Sequence, residues 1–440
     1  MAQKFCIVLA FSLILSAPVL AADGAMSFTL QEAVRQGIHT SPEHDIVTSQ
    51  RNAAHQRLLQ ANALYLPSVD LALQAGREKV FTSPNVDTQA LWQRRGSLTL
   101  TQLLFDGWGT TNEIKSQKHR LESAERRVKA ETEFLGLDVV QAYLDILRQR
   151  DLLKIARTNV DNHHRIFKKI QAGVDAGTMA DGDAAQAESR LNSAHTNVSS
   201  VEQNLRSAEA LFINKVGAMP GDLAPPDFPR HQLPLTLNLV LQDARAYSPT
   251  LAVYQSDVNA AVAEWRGASS AFYPRMNLEI NGSKSIDEGG FTGNQEDFSA
   301  LVVMRWNLLR GGGDTARRQE FMYRYAESKA RAAAALRQVE SEVRDTWAAK
   351  DSAFARSQEY LRQSKASERV VSVYLDQFTL NRRSLLDVLD AENELFASRS
   401  NHLHAFYAEK FAVYRLLAIQ GKMLAVLGVE PPREIQRGHY

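Results

Sequence analysis

The stretch from Phe378 to Phe396, FTLNRRSLLDVLDAENELF, places a basic turn directly before a helix that carries Asp387 and Asp390 in its first turns. A fainter copy, GTMADGDAAQAESRL, occupies residues 177–191. The two stretches align at an offset of 204 residues, which matches Asp183 with Asp387. Two related turns at one spacing indicate that the chain contains a repeated unit.

Further landmarks recur at nearly the same spacing. A Ser-Pro pair returns after 207 residues, and so does a three-residue segment that begins with an aromatic residue and ends in proline. A Leu-rich segment ending in glycine returns after 204. The matched segments are residues 41–42 with 248–249, 65–67 with 272–274, and 104–107 with 308–311. A constant offset predicts a tandem duplication of one unit of about two hundred residues. We assign the first copy to residues 23–219, a proline-rich connector to 220–235, the second copy to 236–428 and a tail to 429–440.

The N-terminus has the features of a secretory signal over residues 1–22. Lys4 precedes an apolar run from Phe5 to Leu15, and small residues suited to cleavage precede Asp23. The single cysteine, Cys6, falls inside this segment. The exported protein is therefore expected to lack disulfides and thiolate chemistry, and no cysteine stands at the cleavage point to accept a lipid.

Composition excludes one class of function and restricts another. The 440 residues are 44% hydrophobic and 23% charged, which is a foldable composition. A balance of 51 basic and 50 acidic residues gives a net charge of +1, so the basic face that a nucleic-acid binder needs is missing. No apolar stretch of roughly 18 residues follows the signal, so any membrane span is expected to consist of strands.

Each copy contains two stretches in which apolar and polar residues alternate, as in a strand with one apolar face. They occupy about 67–78 and 95–106 in the first copy, and 275–284 and 297–309 in the second. A half-buried soluble sheet would show the same pattern. Strands of about ten residues are also long enough to cross an outer membrane. The four strands of one chain are too few to close a barrel there. Because open edges are forbidden in lipid, membrane strands would have to be pooled from several chains, and three chains would give twelve.

Long helical hairpins are predicted after the strands, at about 110–216 and 314–427. In the first, Val139, Ile146, Leu153 and Val160 fall in a seven-residue column that is typical of a coiled-coil seam. Such a helix would reach roughly 95 Å. In the second hairpin Glu368 and Lys410 interrupt the apolar columns, either at the surface or facing a lumen. The glycine turn between strand and helix lacks the spacing of a phosphate-binding loop.

No catalytic, metal or cofactor site is predicted. The histidines have no metal-ligand spacing, and we expect them on helix surfaces: His163, His164, His402 and His404. No nucleophile motif occurs, and acidic pairs on long amphipathic helices usually belong to a solvated face. The expected role is mechanical, as a conduit, spacer or binding scaffold.

With its duplication, paired strands, helical hairpins and the turn from Arg383 to Glu394, the chain resembles the TolC family of outer-membrane channel proteins over about residues 28–427. The resemblance implies an α+β membrane protein that forms a homotrimer. Four strands from each chain would make a twelve-stranded β-barrel, continued by an α-helical tunnel in the periplasm. The protein would then lie in the cell outer membrane, in contact with its lipid.

The resemblance also implies a gate at the periplasmic end. Arg383 matches an arginine of the closing network, Asp387 and Asp390 match two constricting rings, and Asp183 matches the first-copy aspartate that faces the network. Some members carry a tyrosine where this chain has Phe378, so the neighbouring Arg382 is included as a possible member of the network.

A purely local explanation for the two aspartates remains open. Ser384 with Asp387 fits a capping box, and acidic residues in a first helical turn are favoured by the helix dipole.

The expected function is an exit duct that receives substrate from an inner-membrane transporter, with an ABC type favoured, and a periplasmic adaptor. Residues 381–396 are most similar to members that serve type I protein secretion. Multidrug or metal efflux is the alternative. A periplasmic coiled-coil scaffold without a pore is the alternative from another class.

Overall fold

The computed structural model describes residues 28–82, 86–87, 90–380 and 382–430. The expected signal peptide, residues 1–22, and all but the first two residues of the expected tail lie outside the described residues.

Two short helices open the first copy, α1 Leu30–Thr40 and α2 Pro42–Ala63. Thr29 and Glu32 cap the start of α1 reciprocally, each side chain bonding to the backbone N–H of the other. The Ser41 hydroxyl accepts a hydrogen bond from the backbone N–H of His44 at the start of α2. Pro42 fits the first position of α2, where a backbone donor is not needed.

Strands follow these helices. The long strands are β1 Ser68–Glu78 and β4 Leu91–Phe105, and the two-residue strands β2 Phe81–Thr82 and β3 Val86–Asp87 pair between them. β4 begins earlier than the expected residue 95 because its first residue, Leu91, still pairs with the last residue of β1, Glu78.

The first long hairpin consists of α3 Gly109–Asp175 and α4 Asp181–Val216. The 67 residues of α3 correspond to a length of roughly 100 Å. The turn between the helices contains Gly177 at φ 70°, a conformation that glycine adopts without strain.

The second copy repeats this order. Its elements are α5 Leu237–Tyr247, α6 Pro249–Gly267, β5 Arg275–Ile286, β6 Asn294–Arg305, α7 Gly313–Thr379, α8 Leu385–Ile419 and the short α9 Met423–Val426.

Two limits of the second copy differ from the sequence expectation. β6 ends at Arg305 and not at residue 309, because Arg305 pairs with the first residue of β5 and the next residues have no partner strand among those described. The hairpin expected to run to residue 427 stops at Ile419. The helix ends before Gly421, which adopts φ 66° and packs closely on Pro249. A Cβ added to Gly421 would lie 2.9 Å from the Cδ of Pro249.

The four long strands form one antiparallel sheet in the order β1-β4-β5-β6. The two copies meet at the centre, where β4 pairs with β5 and Thr101 faces Glu279. β1 and β6 each have one partner in the described chain and therefore form open edges. Large apolar side chains on the sheet are exposed, including Leu73 at 75% and Phe298 at 79%. The described residues alone do not cover this apolar surface.

The joint between strand and helix differs between the copies. In the first, Gly107 and Trp108 both adopt φ 65°, and the Trp108 ring packs edge-on against Phe105 and Tyr273 at centroid distances of 5.3 and 5.4 Å. A Cβ on Gly107 would lie 2.6 Å from the Cβ of Tyr273. In the second, Gly311 and Gly312 also have positive φ, but a Cβ on either would meet no described atom within 4 Å. Of the two glycine turns, the first is the one that packs against aromatic side chains among the described residues.

Near the tip, the buried face of α3 is displaced from the seven-residue column that the sequence predicts. The expected Leu153 and Val160 are half-buried. The buried side chains sit one position earlier, with spacings of three and four: Leu152, Ala156, Asn159, His163, Ile166 and Ile170. A straight α-helix drifts by about 20° per heptad from a strict seven-residue column, which displaces the contact face along α3.

The main hydrophobic core surrounds the middle of α3 and includes the connector. Tyr143 is fully buried, and its hydroxyl donates to the carbonyl oxygens of Phe28 at 2.8 Å and Ala224 at 2.6 Å. Phe28 also forms a parallel bridge with Leu223. On α8, the hydroxyl of Tyr414 donates to the carbonyl oxygen of Asp227 at 2.9 Å. These bonds fix the proline-rich connector against both hairpins.

The two polar interruptions in the second hairpin have different surroundings. Lys410 is partly buried, with its ammonium 4.5 Å from the ring centre of Phe406 and 5.7 Å from that of Phe228 in the connector. Glu368 is exposed and accepts a 2.8 Å hydrogen bond from Arg399 on the paired helix. Through the described residues, no helix combines the length and apolarity needed to cross a membrane.

Candidate gate at the hairpin tips

The tips of both hairpins pack together through one apolar cluster. Ile166 and Ile170 of α3 and Ala187 of α4 contact Val388 and Leu389 of α8 in this cluster. The two repeated turns that the sequence matched at an offset of 204 residues therefore lie side by side. This cluster positions the predicted gate residues on the neighbouring turns of α4 and α8.

Asp387 has both a capping role and a charged partner. The Ser384 hydroxyl accepts from the backbone N–H of Asp387 at 3.2 Å and donates to its Oδ2 at 2.8 Å. Arg383 Nη1 lies 3.7 Å from the same Oδ2, an ion pair longer than a hydrogen bond. The Arg383 guanidinium stacks 3.9 Å from the ring centre of Tyr374 on α7. Arg383 is therefore held by Tyr374 and Asp387 within its own chain.

Asp390 pairs with a residue that the sequence reasoning missed. Arg190 Nη2 of α4 donates to Asp390 Oδ1 at 3.3 Å. The two side chains are 38% and 59% exposed. Arg190 stands seven residues after Asp183, two helical turns along the same face of α4, and that spacing could have identified it as a gate candidate.

The other predicted gate residues occupy separate positions. Asp183 lies in the first turn of α4, is half-buried, and makes no ion pair within the described part of the chain. Phe378 packs against the tip cluster. Arg382 is exposed, and its backbone N–H donates to the carbonyl oxygen of Gln377 at 2.9 Å. Within one chain, the tip therefore groups Arg383 with Asp387 and Arg190 with Asp390.

Buried polar groups lie one to two turns away from the tip cluster. Glu392 is 3% exposed and accepts a 3.1 Å hydrogen bond from Asn162 Nδ2 of α3. Burial raises the pKa of Glu392, and the bond from Asn162 partly offsets this effect.

The expected surface position is wrong for His163, which is 1% exposed. His163 falls on the inner face because the seam of α3 is displaced from the expected column. His402 is half-buried, with its Nδ1 3.0 Å from the carbonyl oxygen of Ser357. Over residues 28–82, 86–87, 90–380 and 382–430, no group of three His, Cys, Asp or Glu side chains could hold a metal ion.

Comparison with known proteins agrees with this architecture. The family pattern for "Outer membrane efflux protein" matches residues 47–217 and 240–422, one block in each copy. The chain belongs to the outer membrane efflux protein family. This membership makes it an outer-membrane export channel and not an enzyme, and family members work in tripartite systems.

Relatives within the outer membrane efflux protein family have diverged in sequence. The chain is 22% identical to the outer membrane efflux protein BepC of Brucella suis biovar 1 over 435 residues, covering 98% of this chain and 94% of BepC. It is also 22% identical to the alkaline protease secretion protein AprF of Pseudomonas aeruginosa, covering 88% of this chain and 83% of AprF.

A solved structure supports the fold. The CmeC outer membrane channel of Campylobacter jejuni superposes with a TM-score of 0.80 at 13% identity, covering 93% of this chain and 88% of that one. The predicted fold class, with paired strands and long helical hairpins, is confirmed as that of the outer membrane efflux protein family.

Proposed function

We propose that the chain is the homotrimeric exit duct of a type I protein secretion machine. It receives substrate from an ABC-type inner-membrane transporter and a periplasmic adaptor, and releases it outside the cell. The proposal rests on the sheet and the tips together. The four-stranded sheet has open edges and exposed apolar side chains. The two hairpins joined to it carry carboxylates paired with arginines at their tips.

Trimerisation provides partners for the open edges of the sheet. β1 of one chain and β6 of the next would pair, so that three chains close a ring of twelve strands and leave no edge in lipid. The exposed apolar side chains of the sheet, such as Leu73 and Phe298, support contact with the membrane. The hairpins would then continue the ring as a helical tunnel.

The gate is proposed to lie at the tips. In a threefold assembly Asp387 and Asp390 each form a ring of three carboxylates, which attract cations. Arg383 pairs with Asp387 and stacks on Tyr374, and these contacts would hold the tip of α8 against α7 in the closed state. Asp183, Phe378 and Arg382 are proposed to act in the surrounding network.

Type I secretion is favoured by the similarity of residues 381–396 and by AprF, whose name describes protease secretion. Multidrug or metal efflux is the second candidate, since BepC is named as an efflux protein.

The test of the duct is single-channel conductance of the detergent-extracted trimer in planar bilayers. A folded trimer that conducts no ions would contradict the proposed duct function and favour a scaffold without a pore. Cross-linking the assembled machine in cells, followed by identification of the captured inner-membrane component, separates the two transport classes. An ABC transporter supports type I secretion, and a proton-driven efflux pump would contradict it.

A further inference from the structure

The exposed apolar face of the sheet ends in a group of cations. Directly opposed residues of neighbouring strands share a face, so the register places Leu71 of β1 and Phe298 of β6 on the same face. The alternation along each strand adds Arg77 of β1, Arg94 of β4 and Lys284 of β5 to that face. All three cations are exposed, and they lie at the end of the sheet farther from the hairpins.

The three cations are close neighbours across β1, β4 and β5. In the register, Arg77 and Lys284 each lie two residues from the position opposite Arg94. Diagonal neighbours of this kind are about 7–8 Å apart, within reach of long side chains. Lys284 Nζ lies 2.5 Å from Oε1 of Glu296, directly opposite on β6. Arg77 and Arg94 make no ion pair within the described residues.

We name Arg77, Arg94, Lys284 and Glu296 the rim patch. Three cations against one carboxylate give it a net charge of +2. Toward the hairpins, the same face is apolar and without charge over all four long strands. Charged side chains on a lipid face are costly at the middle of a membrane and tolerated near its interfaces. The rim patch is therefore expected at an interface.

Exposed aromatic side chains mark both ends of the apolar band. Trp92 is 61% exposed and lies directly opposite Arg77. At the end of the sheet next to the hairpins, the exposed aromatic residues are Trp108, Tyr273 and Trp306. In membrane barrels, aromatic residues flank the apolar band at both interfaces. This arrangement places the rim patch at the level of the lipid headgroups, on the side away from the periplasmic hairpins.

A shallow groove of about 510 Å³ adjoins the cations. Gly96 and Gly282 leave part of it without side chains, and a Cβ on Gly282 would meet no described atom within 4 Å. The larger side chains along the groove are apolar or belong to the rim patch: Leu71, Leu98, Phe298, Lys284 and Glu296. The groove therefore offers apolar walls to an acyl chain directly beside a cationic rim.

We propose that the rim patch binds the phosphate headgroup of a lipid in the outer leaflet, with an acyl chain of that lipid in the groove. A guanidinium group donates two parallel hydrogen bonds to a phosphate, and an ammonium acts as a point charge beside it. A phosphate monoester carries a charge of about −1.5 to −2 at pH 7, which complements the patch. A free phosphate ion would use the cations alone, whereas the groove favours a lipid. The site rests on the proposed barrel, because the patch reaches that leaflet only if the sheet crosses the membrane.

Binding of diphosphoryl lipid A to the detergent-extracted, full-length trimer tests the site, with bound lipid counted by native mass spectrometry. Arg94→Gln should weaken binding about five-fold, the contribution of one cation near a charged membrane surface. Adding Arg77→Gln should weaken it about twenty-five-fold. Arg95→Gln is the matched control, because Arg95 is the next residue of β4 and lies on the opposite face, and it should bind as the parent does. Equal binding by parent and Arg94→Gln, or an equal loss in Arg95→Gln, would contradict the lipid site.

The groove is tested without changing a charge. Gly282→Val places a side chain in the open space of the groove and should weaken lipid A binding. Ala300→Val, on the same face but outside the groove, should not. Unchanged binding in Gly282→Val would contradict the acyl-chain part of the proposal.

Two further outcomes separate the alternatives. Excess inorganic phosphate, compared with chloride at the same ionic strength, should not displace lipid A; displacement would indicate a site for the free ion and contradict the lipid. A trimer that does not conduct but binds lipid A through Arg94 would contradict the proposed duct function and support the lipid site. A conducting trimer whose lipid A binding does not depend on Arg94 would support the duct function and contradict the lipid site.

Discussion

Glu133 should make the stability of the fold depend on pH in a direction opposite to that of most carboxylates. It is 3% exposed on α3, and its Oε2 accepts a hydrogen bond from the backbone N–H of Leu424 at 3.3 Å, at the start of α9. Burial raises the pKa of Glu133 to about 7, although the Leu424 N–H lowers it in part. The carboxyl group is therefore protonated in the folded state under conditions where it would be ionised in the unfolded chain.

Replacing Glu133 with Gln keeps the shape and removes the titration. A pKa raised from 4.5 to about 7 corresponds to about 3 kcal/mol. Because the folded pKa is the higher one, the stabilisation is complete below pH 4.5 and is lost as the pH rises through 7. Glu133→Gln should therefore match the parent near pH 4 and be more stable by about 3 kcal/mol at pH 8.

The assay is thermal unfolding of the full-length protein in detergent from pH 4 to pH 8. With an unfolding entropy of about 2.1 cal/mol/K per residue over about 400 residues, 3 kcal/mol raises the Tm by about 4 °C. Glu131→Gln, at an exposed position two residues away, should give no pH-dependent difference. A Glu133→Gln variant that is destabilised at pH 8, or whose difference from the parent is the same at both ends of the range, would show that Glu133 is not protonated in the folded state at neutral pH.

The remaining predictions concern the gate and the core. Asp387→Ala combined with Asp390→Ala should leave trimers intact and abolish divalent-cation block from the periplasmic side, and unchanged block would move the constriction elsewhere. Arg383→Ser should raise the resting conductance because it removes the contacts to Asp387 and Tyr374; an unaltered value would reduce Arg383 to a surface charge. Phe212→Ala removes a fully buried ring from the main core and should lower the free energy of unfolding by about 3–5 kcal/mol, measured by denaturant titration. A loss below about 1 kcal/mol would mean that the core closes around the gap.

The predicted fold class could be obtained from the sequence because its signals are local and occur twice. Proline after Ser41 and Ser248 sets the start of a helix in each copy, and alternation identifies strands without knowledge of their partners. The seven-residue columns predict long helices, but a rotation of one position along α3 was enough to bring His163 inside. Periodicity therefore gives the element and its length more reliably than the side chain that it buries.

The contacts of the candidate site could be predicted only in part. Ser384 and Asp387 are three residues apart, so their capping contact follows from spacing. The pairing of Arg190 with Asp390 depends on how the two hairpins are rotated against each other, and no local pattern encodes that rotation. The burial of Glu133 has the same cause, since its partner Leu424 is 291 positions away.

The unequal joints between sheet and hairpins have a mechanical consequence. The Trp108 ring packs against Phe105 and Tyr273, so bending the first hairpin at this joint would have to break these aromatic contacts. Around Gly311 and Gly312, a Cβ would meet no atom of the described residues within 4 Å, and glycine tolerates a wide range of dihedral angles. The joint of the second hairpin is therefore expected to bend more easily than the joint of the first. That joint leads to the hairpin that carries Asp387 and Asp390.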